Sequence, residues 1–214
     1  MSETEGELFA EHFESLEGQA HAARFGMWIF LASEVLLFAG FFALFVTHQT
    51  VYPEAFRESV HHNTKLFGTI NTGVLLVSSW AIASSVHALR AGLRGRAVLL
   101  ITITMLLGGV FLGIKGNEYA DHFHDGIYPG GHGAFFAAHA GDHGIAAFWT
   151  LYFAMTGLHA VHVTVGMIIL GFLAYGIARG RIRPPFVHRL EIGAIYWHLI
   201  DVIWIFLWPL FYLA

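Results

Sequence analysis

Five long apolar runs constrain this chain more than any other feature of its sequence. Each run is about 20 residues or longer, the length that an α-helix needs to cross the hydrocarbon core of a bilayer. Of the 214 residues, 56% are hydrophobic and 12% are charged, whereas roughly 25% charged residues are usual in soluble domains. We therefore predict an all-α, polytopic membrane protein, a bundle of five transmembrane helices. The predicted spans are residues 25–46, 66–89, 97–116, 144–177 and 191–214.

The segments outside these runs are polar. Residues 1–22 are acidic and lack the basic region and short apolar core of a cleavable signal peptide. We predict an acidic tail there and a membrane domain over residues 23–214. The longest loop, 120–143, is rich in Gly and in irregularly spaced His, and the sequence assigns it no role. Its histidines are His122, His124, His132, His139 and His143.

Basic residues are distributed unevenly between the two sides of the predicted membrane domain. The N-terminal side and the second and fourth loops hold eight of the 11 Lys and Arg residues, while Arg57, Lys65 and Lys115 are assigned to the first and third loops. Cytoplasmic loops carry the excess of Lys and Arg. We therefore predict that the tail is cytoplasmic and the C-terminus lies outside. The eight residues are Arg24, Arg90, Arg94, Arg96, Arg179, Arg181, Arg183 and Arg189.

Polar residues inside the apolar runs are candidates for function. Glu34 lies well inside the first run, and a carboxylate at that depth needs protein, water or a proton path beside it. His159 and His162 are three residues apart in the fourth run, as are His198 and Asp201 in the fifth, and this spacing places each pair on one helical face. The pattern leaves two interpretations open, a hydrogen-bonded structural role and a functional one.

The second run carries a weakly polar stripe. Asn71, Ser78 and Ser85 recur every seven residues. Small and weakly polar side chains on one face let membrane helices approach closely. We predict that this face packs on protein rather than lipid.

A metal site is the alternative for the intramembrane polar residues. Histidines and carboxylates bind zinc or iron when they converge, and a self-contained membrane metalloenzyme is therefore a second hypothesis. Paired histidines in helix bundles more often form hydrogen bonds to neighbouring helices. The chain has no Cys, which excludes thiolate sites, no basic patch for nucleic acid, and no repeat typical of a transporter. The six possible ligands are Glu34, Glu118, His159, His162, His198 and Asp201.

Short motifs occur in order across all five runs. They are Phe25-Gly26-Met27 and Ser33-Glu34-Val35; Asn71-Thr72; Ile101-Thr102-Ile103-Thr104 with Glu118-Tyr119; Thr156-Gly157-Leu158-His159 with His162-Val163; and Glu191 with Tyr196-Trp197-His198 and Asp201-Val202-Ile203-Trp204. Together these motifs are specific, although no single one is. From residue 24 to its end, the chain resembles subunit III of the haem-copper terminal oxidases, the family of cytochrome c oxidase subunit III, in its five-helix bacterial form.

The resemblance implies a non-catalytic subunit of a proton-pumping respiratory oxidase that reduces oxygen to water. Haem and copper are expected in partner subunits and none in this chain. Subunit I is the expected direct partner, with subunit II and other respiratory-chain subunits in the same complex. The subunit would stabilise subunit I, support proton uptake and bind phospholipid in a bacterial inner membrane. Cytochrome c is the favoured electron donor; a quinol oxidase subunit or an accessory protein of a nitric oxide reductase are the alternatives.

The resemblance also assigns roles to individual residues. Glu34 matches the intramembrane glutamate of the family, and Arg24 matches a basic residue placed to bind a lipid headgroup. Seven-helix relatives have two further helices that form the second wall of a lipid-holding cleft. The acidic tail stands in their place, so lipid binding in that cleft requires another subunit to supply the wall. The positions that tie helices together by buried hydrogen bonds are Glu118, His159, His162, Glu191, His198 and Asp201.

Overall fold

A computed structural model describes residues 16–129 and 133–213, so His132 and residues 1–15 of the predicted tail lie outside the described residues. Within them the chain is helical and contains no strand. The helices are α1 (Leu16–Val51), α2 (Pro53–His61), α3 (Lys65–Arg90), α4 (Arg94–His124), α5 (Ala134–Ala138), α6 (His143–Ala178) and α7 (Val187–Tyr212), and a 3₁₀ turn, Pro184–Phe186, precedes α7. Five of them, α1, α3, α4, α6 and α7, are long and apolar enough to cross a membrane, which confirms the predicted fold.

Three of the spanning helices extend beyond their apolar runs. α1 begins at Leu16, so residues 16–22 of the predicted tail are helical. α4 continues to His124, into the predicted loop 120–143, and α7 begins at Val187. Apolar length measures only the part of a helix that suits hydrocarbon, whereas backbone hydrogen bonding continues through polar residues until a terminator interrupts it. The terminators after α3, α4 and α6 are glycines with positive φ: Gly92, Gly126 and Gly180.

The two ends of the bundle differ in composition. We call one the arginine end, because Arg24, Arg90 and Arg179 lie there, at the start of α1 and at the ends of α3 and α6. The other is the histidine end, formed by α2, α5 and the adjoining helix ends. There the ring of His62, next to α2, packs edge-on against Phe135 of α5, with their centroids 5.4 Å apart. This contact holds part of the His-rich loop against the bundle.

α7 is the central helix. It packs against α1, α3 and α6, while α4 packs against α3 and α6. Of its most apolar stretch, 56% is buried, compared with 33% or less in the other four spanning helices. α3 runs antiparallel to α7, because Asn63 next to α3 bonds the carbonyl of Phe211 at the histidine end and Arg90 bonds Glu191 at the arginine end.

The weakly polar stripe of α3 faces the protein, as predicted. Asn71, Ser78 and Ser85 are all fully buried. Ser78 Oγ accepts a hydrogen bond from the indole nitrogen of Trp197 at 3.0 Å, and Trp204 donates to Thr72, next to Asn71, at 3.1 Å. These two bonds fix the register of α7 against α3.

Glycines in α4 and α6 make room for Trp197. A Cβ on Gly108 of α4 would lie 2.8 Å from Trp197 Cη2, and a Cβ on Gly166 of α6 would lie 3.0 Å from Trp197 Cε3. The ring is fully buried and its nitrogen is bonded to Ser78, so it has no free space into which to move. The close packing of α4 and α6 on Trp197 therefore requires glycine, which has no side chain, at these two positions.

We expect Gly108→Ala to destabilise the bundle by about 1–3 kcal/mol, because overpacking displaces a buried ring. The measurement is thermal unfolding in detergent. Gly113→Ala on the same helix is the matched control, since a Cβ there meets nothing within 4 Å. Equal stability of the two variants would show that Trp197 can be displaced without cost.

Candidate functional site

The polar residues inside the bundle fall into three main clusters at different depths. The arginine-end cluster is Arg24, Arg90 and Glu191; the mid-membrane pair is Glu34 and His162; the lysine–tyrosine cluster, toward the histidine end, is Lys115, Glu118, Tyr152 and Tyr212. Among the described residues, no three His, Asp or Glu side chains come together in a way that could hold a metal ion. The six possible ligands named from the sequence therefore do not converge on one metal site.

The arginine-end cluster joins three helices through one carboxylate. Glu191 of α7 accepts from Arg24 of α1 at 3.2 Å and from Arg90 of α3 at 2.7 Å, one oxygen to each guanidinium. The glutamate side chain is 19% exposed and the two arginines are about half exposed. A cavity of about 410 Å³ opens beside them, lined also by Glu17 and His188. Each guanidinium thus keeps donors available to a ligand in that cavity.

The mid-membrane pair joins α1 to α6. Glu34 Oε2 lies 2.8 Å from His162 Nε2, and both side chains are 13% exposed. The other ring nitrogen, Nδ1, is 2.8 Å from the carbonyl of Leu158. Because a carbonyl only accepts, Nδ1 carries a hydrogen. Nε2 therefore either donates to a carboxylate or accepts from a carboxylic acid, and in both cases the pair holds one proton between its facing atoms.

The lysine–tyrosine cluster joins α4, α6 and α7 through a buried ion pair. Lys115 Nζ lies 3.0 Å from Glu118 Oε1 and 2.7 Å from the hydroxyls of Tyr152 and Tyr212, so all three ammonium hydrogens have acceptors. Both tyrosines donate to Glu118, Tyr212 at 2.6 Å. The lysine and glutamate side chains are 3% and 4% exposed. The rings of Tyr152 and Trp204 lie 4.5 and 5.6 Å from the ammonium group, which adds cation–π attraction.

Several members of these clusters were not found from the sequence. The prediction that Lys115 belongs to the third loop is wrong, because Lys115 lies inside α4 and is buried. Residue 115 is the second-last residue of the predicted span 97–116, so its charge is counted with the adjoining loop, whereas α4 continues to His124. The spacing of three residues between Lys115 and Glu118 was the available signal. Tyr152 and Tyr212 carried no signal, because an aromatic residue in an apolar helix is ordinary.

Three further residues that were predicted to tie helices together, His198, Asp201 and His159, lie outside the three clusters. His198 Nδ1 is 2.7 Å from Ser79 Oγ, which joins α7 to α3. Asp201 is 4% exposed and faces the same serine, although neither oxygen makes a hydrogen bond of normal geometry to a described residue. His159 is fully buried between the rings of Phe111 and Trp204, 5.5 and 5.3 Å away, and the described residues offer its nitrogens no hydrogen bond. The tying role of Asp201 and His159 stays a prediction.

Comparison with known proteins matches almost the whole chain to one family. The family model of cytochrome c oxidase subunit III matches residues 3–149 and 145–214. Quinol oxidase subunit 3 of Bacillus spizizenii is 34% identical over 216 residues, which cover 95% of this chain and 96% of that protein. Quinol oxidase subunit 3 of Bacillus subtilis is 32% identical over 215 residues, with the same coverage. Probable quinol oxidase subunit 3 of Staphylococcus saprophyticus is 27% identical over 190 residues, covering 89% of this chain and 88% of that protein.

We expect Lys115→Met and Glu118→Gln each to destabilise the bundle, the lysine substitution by about 3–5 kcal/mol because it leaves a buried charge without its partner. The double variant should be more stable than Lys115→Met alone, because it leaves no unpaired charge. The measurement is a double-mutant cycle on unfolding in detergent.

Arg24→Met is the control for this cycle, because Glu191 keeps Arg90 and the lost ion pair is exposed. It should cost no more than about 1 kcal/mol. Additive effects of the Lys115 and Glu118 substitutions would show that the two residues do not act as a pair.

Proposed function

The chain belongs to the cytochrome c oxidase subunit III family, and from that premise we propose that it is the third subunit of a haem-copper oxidase that takes electrons from quinol. The observation that supports quinol is the name of the two relatives that match almost end to end, both quinol oxidase subunit 3. Cytochrome c, the donor favoured from the sequence, has no such support from these relatives. The relatives named here also give no support to the nitric oxide reductase alternative.

We place the haem and copper of this oxidase in partner subunits. Within the described residues the charged side chains of three clusters pair across helix boundaries, and no three His, Asp or Glu side chains come together to hold a metal ion. The three clusters fasten α1, α3 and α7 at the arginine end, α1 and α6 at mid-depth, and α4, α6 and α7 toward the histidine end. A bundle fastened at three depths offers a rigid surface, which suits a subunit that stabilises subunit I by packing on it.

We propose that the arginine end is cytoplasmic, in a bacterial inner membrane. With Lys115 buried inside α4, the opposite side keeps only Arg57 and Lys65 of the basic residues first assigned to it, and the imbalance that favours this orientation becomes stronger. The cavity beside Arg24 and Arg90 is then at the depth of lipid headgroups. Two half-exposed guanidinium groups there suit a lipid phosphate.

The test is to purify the tagged chain from its own membranes in mild detergent and to record a reduced-minus-oxidised visible spectrum. Haem should co-purify, and the preparation should consume oxygen with a soluble quinol and not with reduced cytochrome c. Oxidation of cytochrome c at a comparable rate would overturn the quinol assignment. A preparation without haem that holds zinc or iron in the isolated chain would overturn the oxidase assignment in favour of a metalloenzyme.

We expect Glu34→Gln to leave the complex assembled and to lower oxygen consumption by less than about tenfold, or about 1.4 kcal/mol of activation free energy. The reason is that the glutamine amide can still donate to His162 Nε2. Glu34→Leu is the comparison, since it leaves that nitrogen unpaired inside the membrane and should reduce assembly. Complete loss of oxygen reduction by an assembled Glu34→Gln complex would contradict a non-catalytic subunit.

A further inference from the structure

α7 is the central helix, but one of its faces is not covered by any other described helix. We call it the α7 stripe. Successive members are separated by four and three residues in turn, the spacing at which one helix packs along another. Each is partly or largely exposed, whereas Trp197 and Trp204 on the other side of the helix are buried. The stripe consists of Glu191, Ile195, His198, Val202, Ile205 and Pro209.

The stripe forms the floor of a groove. α1 stands on one side, where Val35 and Phe42 face Val202 and Phe206 across a cavity of about 250 Å³. α3 stands on the other side, bonded to α7 through Ser79 and His198. In the described part of the chain, α1 and α3 scarcely touch each other, although both pack on α7. The groove is therefore open along the middle of the membrane.

α1 and α3 are linked at both ends of the groove. At the arginine end, Glu191 links Arg24 of α1 to Arg90 of α3. At the histidine end, α2 connects the two helices, and Asn63 next to it bonds the carbonyl of Phe211. A groove open only in its middle section presents its floor at the depth of the hydrocarbon core.

A polar atom faces this section of the groove. His198 lies near the middle of α7, with its Nδ1 bonded to Ser79 and Asp201 behind the same serine. The described residues provide no hydrogen bond for the other ring nitrogen, Nε2. An imidazole nitrogen left unpaired against lipid tails is costly, and polar side chains in membrane helices face protein or water. Lipid alone is a poor occupant for this position.

A comparable stripe on α6 gives the contrast. Val161, Val165, Ile168 and Phe172 have the same spacing and are exposed, and all are apolar. Spacing alone therefore does not indicate a partner. The α6 stripe suits lipid tails, whereas the α7 stripe includes a group that needs a hydrogen bond.

We propose that the groove over the α7 stripe receives a transmembrane helix of another subunit of the oxidase, and that this helix forms a hydrogen bond with His198 Nε2. The proposal rests on the proposed function, because it requires a partner subunit in the same membrane. The incoming helix is apolar where it meets Val202 and Ile205 and carries one hydrogen-bonding side chain at mid-depth. It inserts between α1 and α3, which explains why those two helices stand apart.

The first test is photo-cross-linking in native membranes. p-Benzoyl-phenylalanine replaces Phe206, at the edge of the groove and 57% exposed, or Phe172, the matched control on α6 and 74% exposed. After illumination, the tagged complex is purified and adducts are mapped by mass spectrometry. Phe206 should give an adduct with a membrane-spanning segment of a subunit that co-purifies with haem, and Phe172 should give lipid adducts.

Two results would overturn the proposal. One is an adduct of position 206 with lipid alone or with a second copy of this chain. The other is an oxidase-subunit adduct at position 172 and none at 206. If haem still co-purifies with the chain, either result contradicts only the docking proposal and not the proposed function. If the unaltered chain purifies without haem, the proposed function itself is wrong.

The second test addresses the hydrogen bond. His198→Leu should reduce the haem recovered per tagged chain by about fivefold, the effect of one lost hydrogen bond, with the amount of chain in the membrane unchanged. His198→Gln should retain most of the haem, because its amide can replace the ring nitrogen. Ser79→Ala removes the bond within the chain but leaves Nε2, and should have the smaller effect. Wild-type haem recovery with His198→Leu would exclude a bond from the partner.

Discussion

Hydrocarbon offers no hydrogen bonds, and this constraint explains the arrangement of the bundle. A charged or polar group inside a membrane helix needs a partner within the protein, because lipid supplies none there. Glu34 meets His162 across 128 positions of sequence, and Glu118 meets Tyr212 across 94. Each such pair excludes alternative helix arrangements that would leave its members unpaired.

The lysine–tyrosine cluster shows what such pairing contributes. Removing two charges from water costs free energy that a buried ion pair recovers only when its geometry is good, so the pair need not raise stability over apolar residues. Here the ammonium group has three acceptors and sits among aromatic rings, and Glu118 receives two tyrosine hydroxyls. The cluster is complete only when α4, α6 and α7 are in register. Its contribution is to specify that register.

The central position of α7 connects the fold to the proposed function. α7 is fixed to α3 by indole and histidine hydrogen bonds and to α1 at the arginine end by Glu191. The flanking helices stand apart over its open face, while Trp197 and Trp204 on the opposite side are buried. A member of this family works within an oxidase of several subunits, and a rigid bundle with one open groove provides a defined place for a neighbour.

The sequence alone determined the five spanning helices, because the length of an apolar run is a local property and the thickness of the bilayer sets the length that is needed to cross it. It also singled out Glu34 and Glu118, since a carboxylate in or beside an apolar run needs a partner, and the family resemblance added Glu191. Only the tertiary structure decided which partners they have, and it moved Lys115 from a loop into the core. The physical reason is that apolar helix faces are nearly equivalent in lipid, so hydropathy carries no information about which faces meet. Side-chain packing and the pairing of distant polar groups decide that.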